Sequence, residues 1–176
     1  LSGLGFGTRQ DGDRTVIPKP RPALAGLLAA LFTLALLSSV PAMAQGPAGM
    51  KTIQTGIEYG VFYRNLKSAV QTSPLNILFV ACAHCGAKSL GVTIPKNNVF
   101  HVYGPHFAVR MLEASVEAGF EASLRLYTTE QADGTAALTY RLPTAAFAPY
   151  GNADIDAMAE DLDAIFEQIV QDALNG

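Results

Sequence analysis

The pattern of apolar and polar positions along residues 99–141 predicts a strand, a helix and a hairpin in succession. Residues 99–103 are β-branched and aromatic, and Gly104-Pro105 follows them, which predicts a strand leading into a helix with proline at its first position. Apolar residues at helical spacing predict that this helix covers residues 106–118, with Gly119 at its left-handed C-terminal cap.

Two later runs, 124–127 and 136–141, alternate apolar with polar residues as half-buried strands do. Asp133-Gly134 lies between them, and this dipeptide tolerates the positive φ that a tight hairpin requires. The two runs are therefore predicted to pair as an antiparallel hairpin.

The chain before this stretch carries similar signals. Residues 51–57 alternate and predict a first or edge strand. A helix is predicted next, ending near Ser73-Pro74 because proline prevents its continuation. Its apolar face consists of Tyr59, Phe62, Leu66 and Ala69 or Val70. The nearly continuous apolar run 75–81 then predicts a strand buried at the centre of a sheet.

The chain after the hairpin ends in a helix. Residues 144–151 are rich in turn-forming residues and predict one helical turn, and apolar positions then recur at helical spacing from Ile155 to Ile169. Acidic residues occupy the other face of this last helix and its N-terminal end, where they suit the helix dipole. The order of elements, β-α-β-α-β-α-β-β-α, predicts a single small α+β domain over residues 51–175.

The N-terminal region has the organisation of an export signal. Lys19-Pro20-Arg21 precedes an uncharged run, 23–40, composed mainly of Ala and Leu, and residues 41–44 supply the small-x-small pattern of a signal-peptidase site. We therefore expect a signal peptide over residues 16–44, cleavage near Ala44 and a periplasmic or secreted protein. The alternative is an uncleaved anchor, because the run is about long enough to span a bilayer.

The flanks of this segment lead to two smaller expectations. Residues 1–15 show no periodic apolar pattern and precede a complete signal-peptide n-region, so we expect translation to begin near Val16 and the leading residues to be an overrun of the assigned coding sequence. Residues 45–50 read as a short spacer before the folded domain.

Composition and charge narrow the class of partner. The chain is 49% apolar and 15% charged, which is typical of a globular protein. From Gln45 onward eight Lys and Arg stand against thirteen Asp and Glu, and no basic cluster is present. This balance argues against a nucleic-acid partner, because binding to a phosphate backbone requires clustered positive charge.

Cys82-Ala83-His84-Cys85 is the sharpest chemical motif, and three interpretations of it stay open. A C-x-x-C between a strand and a helix can act as a redox pair whose leading thiolate is stabilised by the helix N-terminus. In an exported protein it can equally be a structural disulfide or two inert thiols. Cys82, His84 and Cys85 also offer ligands for zinc or copper.

Other cofactors are not predicted. Covalent c-type haem would need a histidine directly after Cys85, where Gly86 stands instead. His101 and His106 fall in a predicted strand and at a predicted helix start, so we do not expect them to converge with the motif on a metal.

Arginines supply the candidates for ligand binding. Arg125 and Arg141 lie on the polar face of the predicted hairpin, near Tyr127 and Thr139, and could form a small anion-binding surface through bidentate guanidinium contacts. The alternative is that these arginines pair across strands with Glu121 or Glu130.

His106 and Arg110, on the preceding helix, are further ligand-binding candidates, although Arg110 is placed to pair with Glu113 or Glu117. No nucleophile-elbow pattern and no phosphate-binding glycine loop appears, so no catalytic residue is predicted beyond the redox pair.

Residues 104–151 and the helix over residues 154–170 resemble the DUF302 family, and in particular its exported members. The resemblance extends over about residues 50–174 and is most specific between 94 and 151. It implies a two-layer α+β fold in which helices back a curved antiparallel sheet, of the kind grouped with TBP-like folds, with an extra helix inserted between strands. It also implies a tendency to form homodimers. It transfers no catalytic residue, and the cysteine motif departs from the family pattern.

These observations predict an exported, non-enzymatic protein that binds a small ligand or acts as an accessory to a periplasmic protein. Thiol-disulfide exchange at Cys82 and Cys85 is the first alternative, and metal carriage by Cys82, His84 and Cys85 is the second.

Overall fold

The structure, a computed structural model, describes residues 47–176. The predicted overrun, the predicted signal peptide and the first two residues of the predicted spacer lie outside the described residues. Among the helices of residues 47–176, none is both long and apolar enough to span a bilayer.

Five strands form one sheet in which every neighbouring pair runs antiparallel. The strands are β1 (Met50–Glu58), β2 (Asn76–Ala81), β3 (Asn97–Tyr103), β4 (Leu124–Glu130) and β5 (Thr135–Arg141). Their order across the sheet is β1-β5-β4-β3-β2, so β1 and β2 form its edges.

Helices connect the strands and follow the last one. They are α1 (Tyr59–Thr72), α2 (Ala83–Ser89), α3 (Pro105–Ala114), α4 (Pro143–Phe147) and α5 (Ala153–Asn175), with short 3-10 helices at Glu117–Glu121 and Ala148–Tyr150. The two longest helices, α1 and α5, pack together and against one face of the sheet. The result is the predicted two-layer α+β arrangement.

The core lies between these two helices and the sheet. The predicted apolar face of α1 is confirmed, since Phe62, Leu66 and Val70 have no exposed surface. From α5, Phe166 and Ile169 are buried against strand residues. Burial of each such side chain contributes about 1.5–3 kcal/mol, so the spacing of apolar residues in the two helices stabilises this layer.

The predicted hairpin is confirmed between β4 and β5. Gly134 has φ of 83°, a conformation that glycine adopts without a steric penalty. The Asp133 carboxylate accepts hydrogen bonds from the Thr135 amide at 2.9 Å and the Thr135 hydroxyl at 2.6 Å. These local contacts explain why the dipeptide signal was sufficient to place the turn.

The prediction that residues 75–81 form a central strand was wrong. Within residues 47–176, β2 is an edge strand that pairs only with β3, and Leu78 and Phe79 are each 54% exposed. A continuous apolar run shows that a strand is hydrophobic but not which strands will flank it. Strand order is decided by which strands pair in the folded chain. In the described residues α1 and α5 cover one face of the sheet, so part of an apolar edge strand stays exposed.

The prediction for α3 was correct at its start and wrong at its end. Pro105 begins the helix as expected, but the helix ends at Ala114 and Ser115 is extended. The Ser115 hydroxyl accepts a hydrogen bond from the Ala118 amide at 3.3 Å, which favours a new 3-10 turn over continued helix. Gly119 therefore lies inside that 3-10 turn and is not the C-terminal cap of α3.

Candidate functional site

The sheet face opposite α1 and α5 carries half-buried or exposed side chains from alternate strand positions. We call it the open sheet face and define it by Val99, His101, Arg125, Tyr127, Thr139 and Arg141. Side chains alternate across a strand, so burial of Phe100, Leu126 and Leu138 in the core directs their neighbours to this face.

The strand register brings these residues into rows across the sheet. His101 lies opposite Arg125, and Tyr127 lies between Val99 and Thr139. The Thr139 hydroxyl also lies 2.9 Å from that of Thr52 on the edge strand β1. Directly opposite residues on neighbouring strands have adjacent side chains. Polar groups from β1, β3, β4 and β5 therefore form one surface.

A groove of about 430 Å³ runs along this face, and Arg125, Tyr127, Thr139 and Arg141 all line it. We call it the arginine groove. Among residues 47–176, Glu121 is the one acidic residue in its lining, so the lining holds two guanidinium groups and one carboxylate. The groove thus has a positive formal charge although the chain as a whole is acidic.

Neither arginine forms an ion pair with a carboxylate within residues 47–176. Glu130, one predicted partner, instead binds Lys96 at 2.9 Å, and its pKa is lowered by hydrogen bonds from the Lys96 amide and ammonium group. Arg141 donates from Nη2 to the carbonyl oxygen of Ala145 at 2.7 Å. The predicted cross-strand pairing with Glu121 or Glu130 is therefore not formed in the described part of the chain.

Ser123 lines the groove beside Arg125, and His101 lies opposite Arg125 on β3, outside the groove lining. The His101 ring stacks on Phe79 with centroids 4.0 Å apart, and burial together with the charge of Arg125 lowers its pKa. Its Nδ1 lies 3.3 Å from the hydroxyl of Ser123, which has φ of 66°. A positive φ is uncommon for a residue other than glycine, and residues in such strained conformations occur most often at functional sites.

The structure places His106 and Arg110 away from the arginine groove. Both are exposed on α3. Arg110 forms an ion pair with Asp161 of α5 at 2.7 Å, and not with the predicted Glu113 or Glu117. The sequence suggested local pairs along one helix, whereas the partner comes from a helix that packs beside α3.

The cysteine motif, residues 82–85, lies at the junction of β2 and α2. Cys82 and Cys85 form a disulfide, and α2 begins directly after Cys82. Cys82 is half-buried and Cys85 is exposed. A second groove of about 530 Å³, which we call the cysteine groove, adjoins them and is also lined by Tyr59, Arg64 and Lys96.

His84 lies against both sulfur atoms. Its Nε2 is 3.5 Å from Cys82 Sγ and 3.8 Å from Cys85 Sγ. Its Nδ1 lies 2.9 Å from the carbonyl oxygen and 3.1 Å from the amide nitrogen of Asn97, the first residue of β3. Nδ1 also lies 3.3 Å from Cys82 Sγ, so the ring contacts the backbone of Asn97 through one nitrogen and Cys82 through both.

Sequence reasoning missed Ser123 and Asn97, because neither carries a local signal. Ser123 adopts its left-handed conformation directly before β4, and Asn97 reaches His84 only because β3 pairs with β2. The sequence did identify Arg125, Tyr127, Thr139 and Arg141, four of the residues that line the arginine groove, because alternation along a hairpin determines which side chains share a face.

Comparison with known proteins extends the fold assignment. The family model for a domain of unknown function, DUF302, matches residues 51–173. A crystal structure of an uncharacterized conserved protein DUF302 from Bacillus stearothermophilus is similar with a TM-score of 0.64 and 13% sequence identity, covering 72% of this chain and 98% of that chain. At that identity the likeness shows the fold alone.

Among curated proteins, none matches this chain at a significant level. The match of the family model nevertheless covers more than half of the chain and confirms the resemblance seen in the sequence. This protein therefore belongs to the DUF302 family, whose molecular function is unknown.

Proposed function

We propose that this protein binds a small anionic ligand in the arginine groove, as a non-enzymatic accessory protein that acts after export. One observation carries the proposal: Arg125 and Arg141 line the same groove of about 430 Å³, and neither is paired with a described carboxylate. Two positive charges on one groove attract a negatively charged ligand, so the two arginines favour an anionic guest.

The chemistry of the lining suggests a carboxylate or phosphate group. Arginine binds both in a bidentate manner, and the hydroxyls of Tyr127 and Thr139 can donate further hydrogen bonds. The bond from Arg141 Nη2 to Ala145 orients that side chain before any ligand arrives, which lowers the entropy lost on binding. The groove volume is in the range of small-molecule sites.

Binding is tested with the full chain and two probes, inorganic phosphate and succinate, by calorimetry and by NMR shifts of backbone amides. We expect saturable binding of at least one probe, with shifts at Arg125, Tyr127 and Thr139. The double variant Arg125→Gln/Arg141→Gln should lose binding by at least about tenfold, because each charged hydrogen bond contributes about 1.5–3 kcal/mol.

Arg64→Gln is the matched control, since Arg64 is exposed and lies outside the arginine groove. It should bind as the unchanged chain does. The proposal would be overturned by binding that the double variant retains, or by shifts confined to other surfaces.

Export remains part of the proposal and rests on the sequence of residues 16–44. When the full chain is expressed in a Gram-negative host, we expect the periplasmic fraction to contain a protein beginning at Gln45. Ala44→Glu should block processing, because a signal-peptidase site requires a small residue there. Recovery of an unprocessed chain from the cytosol would contradict this part of the proposal.

A second candidate function, thiol-disulfide exchange, is favoured by the disulfide between Cys82 and Cys85 beside an open groove. An incoming thiolate would attack the exposed Cys85 Sγ and form a mixed disulfide, while the electron pair of the broken bond goes to Cys82 Sγ. A hydrogen bond from the Cys85 amide, 3.2 Å away, stabilises that thiolate. A second thiol of the same substrate then releases Cys85, so a dithiol is oxidised and the protein is reduced.

This order of attack predicts which cysteine is trapped. In Cys82→Ser, the exposed Cys85 should form a stable mixed disulfide with glutathione. In Cys85→Ser the remaining thiol should react more slowly, because Cys82 is half-buried and this restricts access more than the amide contact favours its thiolate. Intact mass after timed alkylation measures both. Equal reaction of the two single variants would contradict the assigned roles, and a disulfide that excess dithiothreitol fails to reduce would exclude the function.

A further inference from the structure

We propose that the cysteine motif, once its disulfide is reduced, holds one thiophilic metal ion such as Zn²⁺ through Cys82 Sγ, Cys85 Sγ and His84 Nε2, and that re-formation of the disulfide expels the ion. This site is separate from the arginine groove and, among residues 47–176, shares no lining residue with it.

The spacing of the donor atoms suits a tetrahedral ion. Zn–S bonds of about 2.3 Å and Zn–N bonds of about 2.0–2.1 Å at tetrahedral angles place nitrogen and sulfur about 3.5–3.6 Å apart. His84 Nε2 lies 3.5 Å from Cys82 Sγ and 3.8 Å from Cys85 Sγ. The distances from Nε2 to the sulfurs are therefore close to those of ligation. Nδ1 lies nearer still to Cys82 Sγ, at 3.3 Å, so the ring must turn slightly as the two sulfur atoms separate.

The C-x-x-C segment permits that separation. Two cysteines at this spacing are a common pair of zinc ligands as well as a common disulfide, because one turn of chain brings both sulfurs to the same point. The Cys85 amide donates to Cys82 Sγ over 3.2 Å, which stabilises a thiolate at that atom. Cys85 is exposed, so its side chain can move without disturbing the core.

Asn97 supplies the outer contact that orients the histidine. With its proton on Nδ1, His84 donates to the Asn97 carbonyl oxygen at 2.9 Å and leaves the Nε2 lone pair for a metal. The other tautomer is also satisfied, because Nδ1 then accepts from the Asn97 amide at 3.1 Å and the Nε2 proton faces the sulfurs. Metal binding selects the first tautomer without breaking the attachment to β3.

Cys82, His84 and Cys85 all line the cysteine groove, so a fourth ligand could reach the ion from there. Lys96 and Arg64 line that groove, but both are cationic and cannot act as ligands at neutral pH. Water or a donor atom from another molecule would fill the fourth position. Structural zinc sites have four protein ligands. A site with three protein ligands, such as this one, leaves one position for water or another molecule.

The cycle requires only a dithiol, a disulfide oxidant, Zn²⁺ and water. A dithiol gives two electrons and two protons to the Cys82–Cys85 bond, which becomes two thiols while the dithiol becomes a disulfide. Binding of Zn²⁺ then releases the two thiol protons. In the reverse direction a disulfide oxidant takes two electrons from the thiolates and two protons from water, the Cys82–Cys85 bond forms, and the ion is released.

The test is a titration of the full chain with Zn²⁺ under anaerobic conditions, before and after reduction with a phosphine, read by competition with a colorimetric chelator. We expect one zinc per reduced chain and none per oxidised chain. His84→Ala should weaken binding at least about tenfold. His106→Ala is the matched control, because His106 is exposed on α3 and should leave the affinity unchanged.

Co²⁺ supplies a readout that needs no variant. Bound to the reduced chain, it should show thiolate charge-transfer bands and the intense visible bands of tetrahedral coordination. Absence of binding by the reduced chain, equal binding by the oxidised chain, or unchanged binding by folded His84→Ala would each overturn the proposal. Phosphate binding in the arginine groove is measured separately, so either proposal can fail without the other.

Discussion

At the scale of single residues, the most informative side chain is Tyr59 at the start of α1. It is 3% exposed, and its hydroxyl donates to Asn98 Oδ1 at 2.8 Å and lies 3.1 Å from Thr128 Oγ1. Asn98 and Thr128 are the two buried polar residues of the described chain. The tyrosine therefore satisfies polar groups inside a core where unpaired donors and acceptors are costly.

The first prediction concerns this hydroxyl. Tyr59→Phe should lower the free energy of unfolding by about 1–3 kcal/mol, because it leaves Asn98 and Thr128 short of a partner in the core. Chemical denaturation of the full chain measures the change. Tyr63→Phe is the control, since no hydrogen bond of the Tyr63 hydroxyl is present among the described residues, and it should change stability by less than about 0.5 kcal/mol. Equal effects of the two substitutions would contradict this account.

At the scale of elements, the start of β1 and the start of α4 depend on one close approach. Gly49 has φ of 77°, and a Cβ added there would collide with Ala145 Cβ. The Leu142 amide donates to the Gly49 carbonyl oxygen at 2.8 Å, which joins the two segments at the edge of the sheet. Glycine is needed here both for its conformation and for its lack of a side chain.

The second prediction compares two glycines in different settings. Gly49→Ala should destabilise the protein by more than about 2 kcal/mol, because strain at a positive φ adds to the steric overlap. Gly86→Ala, inside α2 with no atom within 4 Å of the added Cβ, should stabilise it by up to about 1 kcal/mol through helix propensity. Thermal and urea unfolding measure both. A Gly49→Ala variant as stable as the unchanged chain would refute the close approach.

At the scale of the whole molecule, two buried tyrosines link stability to alkaline pH. Burial raises the pKa of Tyr59 and, together with the charges of Glu167 and Asp163, that of Tyr140 above the usual value near 10.0. The folded state holds these protons more tightly than the unfolded state does. Stability is therefore fully present below pH 10.0 and is lost as pH rises from there through the folded-state values.

We expect a measurable slope of the free energy of unfolding against pH in the alkaline range. The free energy of unfolding should fall above about pH 10 by at most about 1.4 kcal/mol per pH unit for each tyrosine. Tyr140→Phe isolates the effect, because no hydrogen bond of the Tyr140 hydroxyl is present in the described part of the chain. This variant should match the unchanged chain at pH 7 and lose less stability at high pH. An identical pH profile for the two proteins would contradict the assignment.

The sequence alone was enough to predict most elements and the arginine groove residues. Helical spacing identified the buried faces of α1 and α5, and alternation placed Arg125, Tyr127, Thr139 and Arg141 on one side of a hairpin. These are local properties, because the direction of a side chain follows from the period of its own helix or strand. The Asp133-Gly134 turn then set the pairing of β4 with β5.

Only the tertiary structure decided the order of strands and the partners between distant segments. It made the apolar strand β2 an edge, paired Arg110 with Asp161, and brought Asn97 against His84. These outcomes depend on which surfaces of separate elements pack together, a competition among many alternatives that no short stretch of sequence encodes. Local periodicity thus determined the faces of each element, and packing determined what those faces meet.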